Sequence, residues 1–370
     1  MKPATLIVIL GVVGASVGGA YLALAKRAAS DDAAQAGAFV ESLGARADAI
    51  DRIELARGDD RVALEKSSEG WTLATSDGYP ARFEEIKGLV AGIAALERDQ
   101  RMTALPSRHG ELGLAWPDGE GRAARVTLRA GDTVVADLVL GAERANPRSQ
   151  FVRNAAEDQC WRVLGSVVVD LETRRLVEAE LLSLPEGEVE SVSLAGLVIA
   201  GTTDASGKRV FPVPTAPAPT PADTPDAFEW TDARRAAAAR TLPGWLARLE
   251  LDEVRRATGG DADPLLSPVF EMVRGTLRVK GVRDGDDLWI SFEATPREGA
   301  PGADEINAKR KYPGDPFVPD WTEFAAKHAG WEYRLPRWKT TAFDEIARAS
   351  DSTDADPDAA ATPLEIPSAR

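Results

Sequence analysis

The chain has 370 residues, with 44 Lys and Arg against 59 Asp and Glu for a net charge of −15. Its length exceeds one average domain, and a hydrophobic content of 44% is enough for a true core. The acidic balance disfavours nucleic acid, whose phosphates require basic patches, and broad docking of the folded part on anionic lipid. A single cysteine, Cys160, excludes an internal disulfide and a cysteine-rich metal site.

Residues 5–25, TLIVILGVVGASVGGAYLALA, carry no charge and lie between Lys2 and Lys26-Arg27. A helix of that length, rising about 1.5 Å per residue, spans the ~30 Å hydrocarbon core of a bilayer. Tyr21 suits the interface at its far end. Ala23-Leu24-Ala25 also fits a signal-peptidase site, but the apolar run is longer than a signal peptide needs, which favours an uncleaved anchor over residues 1–27. Either reading exports the rest of the chain. Within the run, Gly14-Ala15-Ser16-Val17-Gly18 matches the nucleophile pattern G-x-S-x-G, which needs a strand–turn–helix context that a membrane span cannot supply. Gly14 and Gly18 instead present the small-residue spacing by which two such helices approach and self-associate.

Residues 28–48 are Ala-rich and acidic and read as a spacer. A first module is expected over 49–184. Ile50, Ile53 and Leu55, a Gly58-Asp59-Asp60 turn, then Val62 and Leu64 form a hairpin that leads to Trp71. Pro80 suits a helix start, and Phe83, Ile86, Val90, Ile93 and Leu96 recur on one helical face. Strands follow over 126–129 and 134–140 across an Ala-Gly-Asp turn, then "QFVRN" and "CWRVL". Residues 167–182 are expected to close the module as a helix.

The second module, 185–346, repeats this order. The apolar positions of residues 188–194 match those of 49–55, and "FEW" at 228–230 stands where Gly70-Trp71 stood. Leu96, Glu97 and Asp99 align with Leu249, Glu250 and Asp252, residues 276–294 repeat the strand–turn–strand, and Leu335 with Phe343 repeats the spacing of Val163 with Leu171. So long a period means a duplicated domain rather than a solenoid. A Pro-rich insertion covers 211–227, and the acidic tail 347–370 has no apolar period. The expected fold is α+β, with two related modules of antiparallel sheet plus helices behind one N-terminal transmembrane helix.

The motifs Trp71-Thr72-Leu73, Tyr79-Pro80, Gly113-Leu114-Ala115-Trp116-Pro117, Leu140-Gly141 and Phe151-Val152, in that order after a membrane span, resemble the bacterial family termed domain of unknown function 4340. Phe151 departs from the Tyr usual there, and the second copy lacks a clear G-L-x-x-P. The resemblance implies a single-pass protein of the cell inner membrane whose soluble part faces the periplasm, of a family often encoded beside gliding-motility-type ABC transporter genes. It brings no catalytic residues.

The residues themselves nominate no catalytic, cofactor-binding or metal site. His109 and His328 lie outside any metal-ligand spacing and read as ordinary surface histidines. Cys160 reads as a buried small hydrophobe in a strand. Neither G-x-G-x-x-G nor a P-loop is present. Asp354, Asp356, Asp358 and Glu365 imitate a calcium loop, but Ala359 holds the position that needs Gly. Trp116, Trp289, Trp321, Trp331 and Trp338 are read as packing residues of strands and turns rather than a binding groove. The expected function is therefore a non-catalytic, membrane-anchored extracytoplasmic accessory or binding subunit of an envelope complex, with ABC transporter subunits as partners, no cofactor and no nucleic acid. The alternative is an envelope hydrolase with its site in the cleft between the modules.

Overall fold

The computed structural model describes residues 37–117, 123–185, 187–215 and 228–349. The anchor at 5–25 with Gly14 and Gly18, most of the Pro-rich insertion and the calcium-loop imitation lie outside them. Among the described residues no helix is long and apolar enough to cross a membrane. The chain is mixed α+β with antiparallel sheets and few helices, and it forms two compact units that divide between Glu178 and Ala179.

The first unit comprises β1 (Gly37–Ala38), α1 (Leu43–Arg46), β2 (Arg52–Arg57), β3 (Asp60–Ser67), β4 (Gly70–Leu73), β5 (Tyr79–Pro80), α2 (Phe83–Ala94), β6 (Glu97–Arg101), β7 (Ala124–Ala130), β8 (Thr133–Arg144), β9 (Ser149–Asn154), β10 (Trp161–Leu164) and α3 (Thr173–Leu176). Its ten strands form one sheet in the order β1-β6-β10-β9-β8-β7-β2-β3-β4-β5. Alternation drives the pairing. Ile53 and Leu55 of β2 stand opposite Leu64 and Val62 of β3 and opposite Leu128 and Val126 of β7, and all six side chains are buried. Helix α2 buries Ile86, Val90 and Ile93 on the face their spacing predicts.

The second unit comprises β11 (Glu180–Leu182), β12 (Val189–Leu194), β13 (Leu197–Ala200), β14 (Thr202–Thr203), β15 (Arg209–Val210), α4 (Asp232–Thr241), β16 (Leu249–Glu250), β17 (Glu253–Arg256), β18 (Val269–Met272), β19 (Gly275–Asp284), β20 (Asp287–Pro296), α5 (Asp304–Asn307), α6 (Trp321–His328), β21 (Trp331–Arg334) and α7 (Arg337–Arg348). Its main sheet runs β13-β12-β18-β19-β20-β21-β17, with β11–β16 and β14–β15 as separate pairs. This is the first unit's order β3-β2-β7-β8-β9-β10-β6, strand for strand.

The two sheets share a further constraint. A Cβ on Gly141 of β8 would lie 2.4 Å from the Leu112 carbonyl oxygen, and one on Gly281 of β19 would lie 2.3 Å from that of Leu266. Each oxygen belongs to a 3-10 turn, Pro106–Leu112 or Pro264–Leu266, that lies directly on the matching strand. Only glycine admits so close a backbone approach.

Several expectations are corrected. Residues 167–182 do not form one helix; only α3 is helical, and residues 180–182 form a strand of the second unit. The physical reason is local. The Gln150 amide donates to the Val167 carbonyl and accepts from the Val167 N–H, and Arg57 donates to the Val169 carbonyl, so the start of this stretch is bonded to side chains rather than into a helix. Residues 37–48 are not merely a spacer, because β1 pairs with β6 and Phe39 and Leu43 are buried. Tyr79-Pro80 is an edge strand, so α2 begins only at Phe83, whose side chain is exposed rather than on the apolar face. In the repeat, hairpin β19–β20 corresponds to β8–β9 rather than to β7–β8. The counterpart of β7 is β18, a short strand that the sequence reading passed over. In chain order β14 and β15 take the places of β4 and β5, while Trp230 precedes α4 and donates its indole N–H to the Ala195 carbonyl at 3.0 Å.

Candidate functional site

Both histidines are buried, which corrects their reading as surface residues. His109 is 5% exposed, with Nε2 3.0 Å from the Asp158 carbonyl oxygen. His328 is 2% exposed, its Nδ1 lies 2.6 Å from the Tyr333 hydroxyl, and its ring packs on Phe292 and Phe324. Burial, helped by neighbouring Lys327, pushes its pKa down to about 3. The signal was present in the sequence, since Trp321, Phe324 and His328 share one face of α6.

Cys160 is buried in a cluster with Leu114, Val139 and Phe151, as its strand-like context implied. Burial pushes its thiol up to about 11, which makes it a poor nucleophile. Lys339 is also buried, and burial lowers its pKa to about 8. Its ammonium donates to the Trp245 carbonyl at 2.6 Å, while the Trp245 indole donates to the Lys339 carbonyl at 3.1 Å. Glu188 is ion-paired with Arg274. Burial raises the pKa of Glu188 and the guanidinium opposes the shift. Of the tryptophans, Trp289, Trp321 and Trp331 are buried and Trp338 is exposed. Among the described residues no group of three or more His, Cys, Asp or Glu could hold a metal ion.

The second unit contains a cleft of about 520 Å³ with three sides. One side is the β14–β15 hairpin, contributing Thr203, Lys208, Arg209 and Phe211. Gly201 lets this arm lie flat, since a Cβ there would come within 3.0 Å of Arg209 Cδ, Glu190 O and Phe211 Cε1. Asp204 Oδ1 holds the hairpin turn by accepting from the N–H groups of Ser206 and Lys208 at 2.8 and 3.0 Å. Those bonds, with the Ser206 hydroxyl first among the causes, keep the Asp204 carboxyl below the usual carboxylate range.

The second side is the turn carrying Pro243, Gly244, Leu246 and Ala247. Trp245 pins it from behind, stacked on Phe270 and edge-on to Phe343. The third side is the connection from β11 to β12, contributing Leu184, Pro185, Gly187 and Val189. Its Ser183 hydroxyl donates to the Ala247 and Gly314 carbonyls at 3.0 Å each. Arg209 reaches this side and donates to the Val189 carbonyl at 3.3 Å. Each wall is thus held by packing or hydrogen bonds, two of which, from Arg209 to Val189 and from Ser183 to Ala247, tie one wall to another. The sequence reading missed it because its walls come from three separated stretches with no shared motif.

A family model described as Domain of unknown function (DUF4340) matches residues 71–265, more than half of the chain. The chain belongs to this family. No curated protein and no solved structure matches it. The DUF4340 match begins at Trp71 on β4 and ends at Leu265, so it contains all three walls of the cleft. It also contains Gly141, although it stops short of Gly281.

Proposed function

We propose that this DUF4340 protein is a non-catalytic accessory or binding subunit of an extracytoplasmic envelope complex. Residues 5–25 anchor it in the inner membrane, and the subunits of an ABC transporter are its partners. The observation that carries the binding role is the cleft of the second unit, whose walls come from three separated stretches of chain and whose lining mixes polar and apolar groups. The condition of the titratable groups supports the non-catalytic part. His328 is held neutral against Tyr333, the Cys160 thiol is held protonated, and Lys339 is tied to a backbone carbonyl. A general base or nucleophile needs the opposite, a tuned group open to substrate.

The test is cross-linking in intact cells, followed by purification of the tagged full chain from membranes and mass spectrometry. Transporter subunits in stoichiometric yield are expected. Recovery of the chain as a soluble species without envelope partners would overturn the reading.

A further inference from the structure

We infer that strand β13 is a docking edge for the same strand of a second copy of this chain, the two joining antiparallel about a two-fold axis. The inference goes beyond the binding role proposed above and does not depend on it. Strand β13 ends the main sheet of the second unit. The Gly201 N–H donates to the Glu190 carbonyl at 2.8 Å, which sets the phase of the β12–β13 ladder. Bonded pairs alternate in an antiparallel ladder, so Leu197 and Ile199 bond inward to Leu194 and Val192. The N–H and C=O groups of Val198 and Ala200 therefore point outward, and among the described residues no partner takes them. Leu197 and Ile199 are fully buried, whereas Val198 is 49% exposed and Ala200 is exposed as well.

The first unit shows what completes such an edge. Its β3 holds the place of β13, and β4 pairs there antiparallel, with Leu73 opposite Leu64. In the second unit the chain returning from β15 does not serve. Pro212 and Pro214 have no N–H to give, and the Pro214 carbonyl accepts from Arg235 of α4 at 3.0 Å. A second β13 does serve. Its outward groups, at 198 and 200, flank Ile199 evenly, so a two-fold axis at Ile199 sets Val198 of each copy opposite Ala200 of the other. Each such pair exchanges its backbone hydrogen bonds, and the half-exposed Val198 side chain gains an apolar neighbour. Nothing on the strand repels its like. Leu197–Ala200 has neither charge nor proline, whereas β17, at the other end of the sheet, carries Arg255 and Arg256. Two copies joined at β13 thus leave β17 at both ends, and pairing stops at the dimer. The spacing of Gly14 and Gly18 in the sequence suits the approach of two copies as well.

The experiment uses two full chains with different tags, one Val198→Cys and the other Ala200→Cys, co-expressed, purified in mild detergent and oxidised with copper phenanthroline. Opposed residues of a bonded pair stand about 5.5 Å apart at Cα, within reach of a disulfide, while the two copies of residue 198 lie diagonally, about 7–8 Å apart. The 198–200 disulfide should therefore form about tenfold or more faster than the 198–198 disulfide. Native Cys160 is buried and does not compete. Sedimentation should show the unaltered full chain as a dimer. Val198→Pro removes an outward donor, which an edge strand tolerates, so it should raise the dissociation constant about tenfold or more without lowering the melting temperature. The cysteine comparison alters only solvent-facing side chains and decides the matter even where the proline variant fails to fold. Equal rates for the two disulfides, a dimer unchanged by Val198→Pro, or an unaltered chain still monomeric at about 100 μM would overturn the inference. Growth beyond two copies, or a disulfide to another protein in place of the 198–200 bond, would overturn it as well.

Discussion

The two units share a strand order and differ in what joins the strands. In the first, residues 39–51 between β1 and β2 build α1, which buries Leu43 and packs on α2. In the second, the described residues between β11 and β12 include no helix, and the cleft opens beside them. The first unit continues its sheet through β4 and β5, whereas the second stops at β13 and turns its next hairpin into a cleft wall. The second unit also carries aromatic pins, with Trp245 between Phe270 and Phe343 and His328 between Phe292 and Phe324. The difference teaches that one sheet can be kept while its connections are spent on packing in one copy and on a cavity in the other.

The hardest test of the aromatic pins is Trp245→Ala. Trp245 is 3% exposed and holds both rings and Lys339, so its loss should cost about 3–5 kcal/mol. Trp71→Ala, on a strand next to the sheet edge in the first unit, should cost less. Denaturant unfolding of both variants checks this, and equal costs would remove the contrast between the units.

The shared feature is tested by paired glycine substitutions. Gly141→Ala and Gly281→Ala each force a Cβ against a backbone oxygen, and each should destabilise its unit by about 1–3 kcal/mol. Similar losses in both would sharpen the match of β8 with β19. A neutral Gly281→Ala with a damaging Gly141→Ala would break it.

The smallest effect is a pH dependence of the second unit. The unfolded His328 takes up a proton below about pH 6.5, while the folded one resists it until about pH 3. Its contribution to stability is therefore lost as pH falls through that window, by up to about 1.4 kcal/mol per pH unit. Between pH 6.5 and 5.5, wild type should lose stability relative to His328→Gln. Parallel urea midpoints for the two proteins at both pH values would refute the buried neutral imidazole.

What was legible in the sequence follows from where local signals act alone. The turns at Gly58, Gly131 and Gly285 and the alternation beside them place the hairpins, because each pairs neighbouring stretches. Residues 167–182 misled because their apolar spacing suits a helix, while a glutamine on β9 takes both backbone groups of Val167. Phe39 and Leu43 misled because composition says nothing of a strand that pairs with residues 97–98. The cleft was invisible for the same reason, since its walls meet only through tertiary contacts.

The edges of the first unit's sheet have a consequence for keeping the protein soluble. Its outermost strands, β1 and β5, are two residues each. Pro80 in β5 has no N–H to offer, and the chain just after it is already taken, with Ala81 bridged to Val177 and the Arg82 N–H donating to the Leu176 carbonyl. In the second unit, edge strand β17 carries Arg255 and Arg256, whose guanidinium groups lie 3.9 and 3.7 Å from the ring centres of Trp289 and Trp331. Short, proline-bearing and charged edges are the means by which sheets refuse to add strands from neighbouring molecules. At these three edges a crowded array of these chains would therefore resist edge-to-edge pairing.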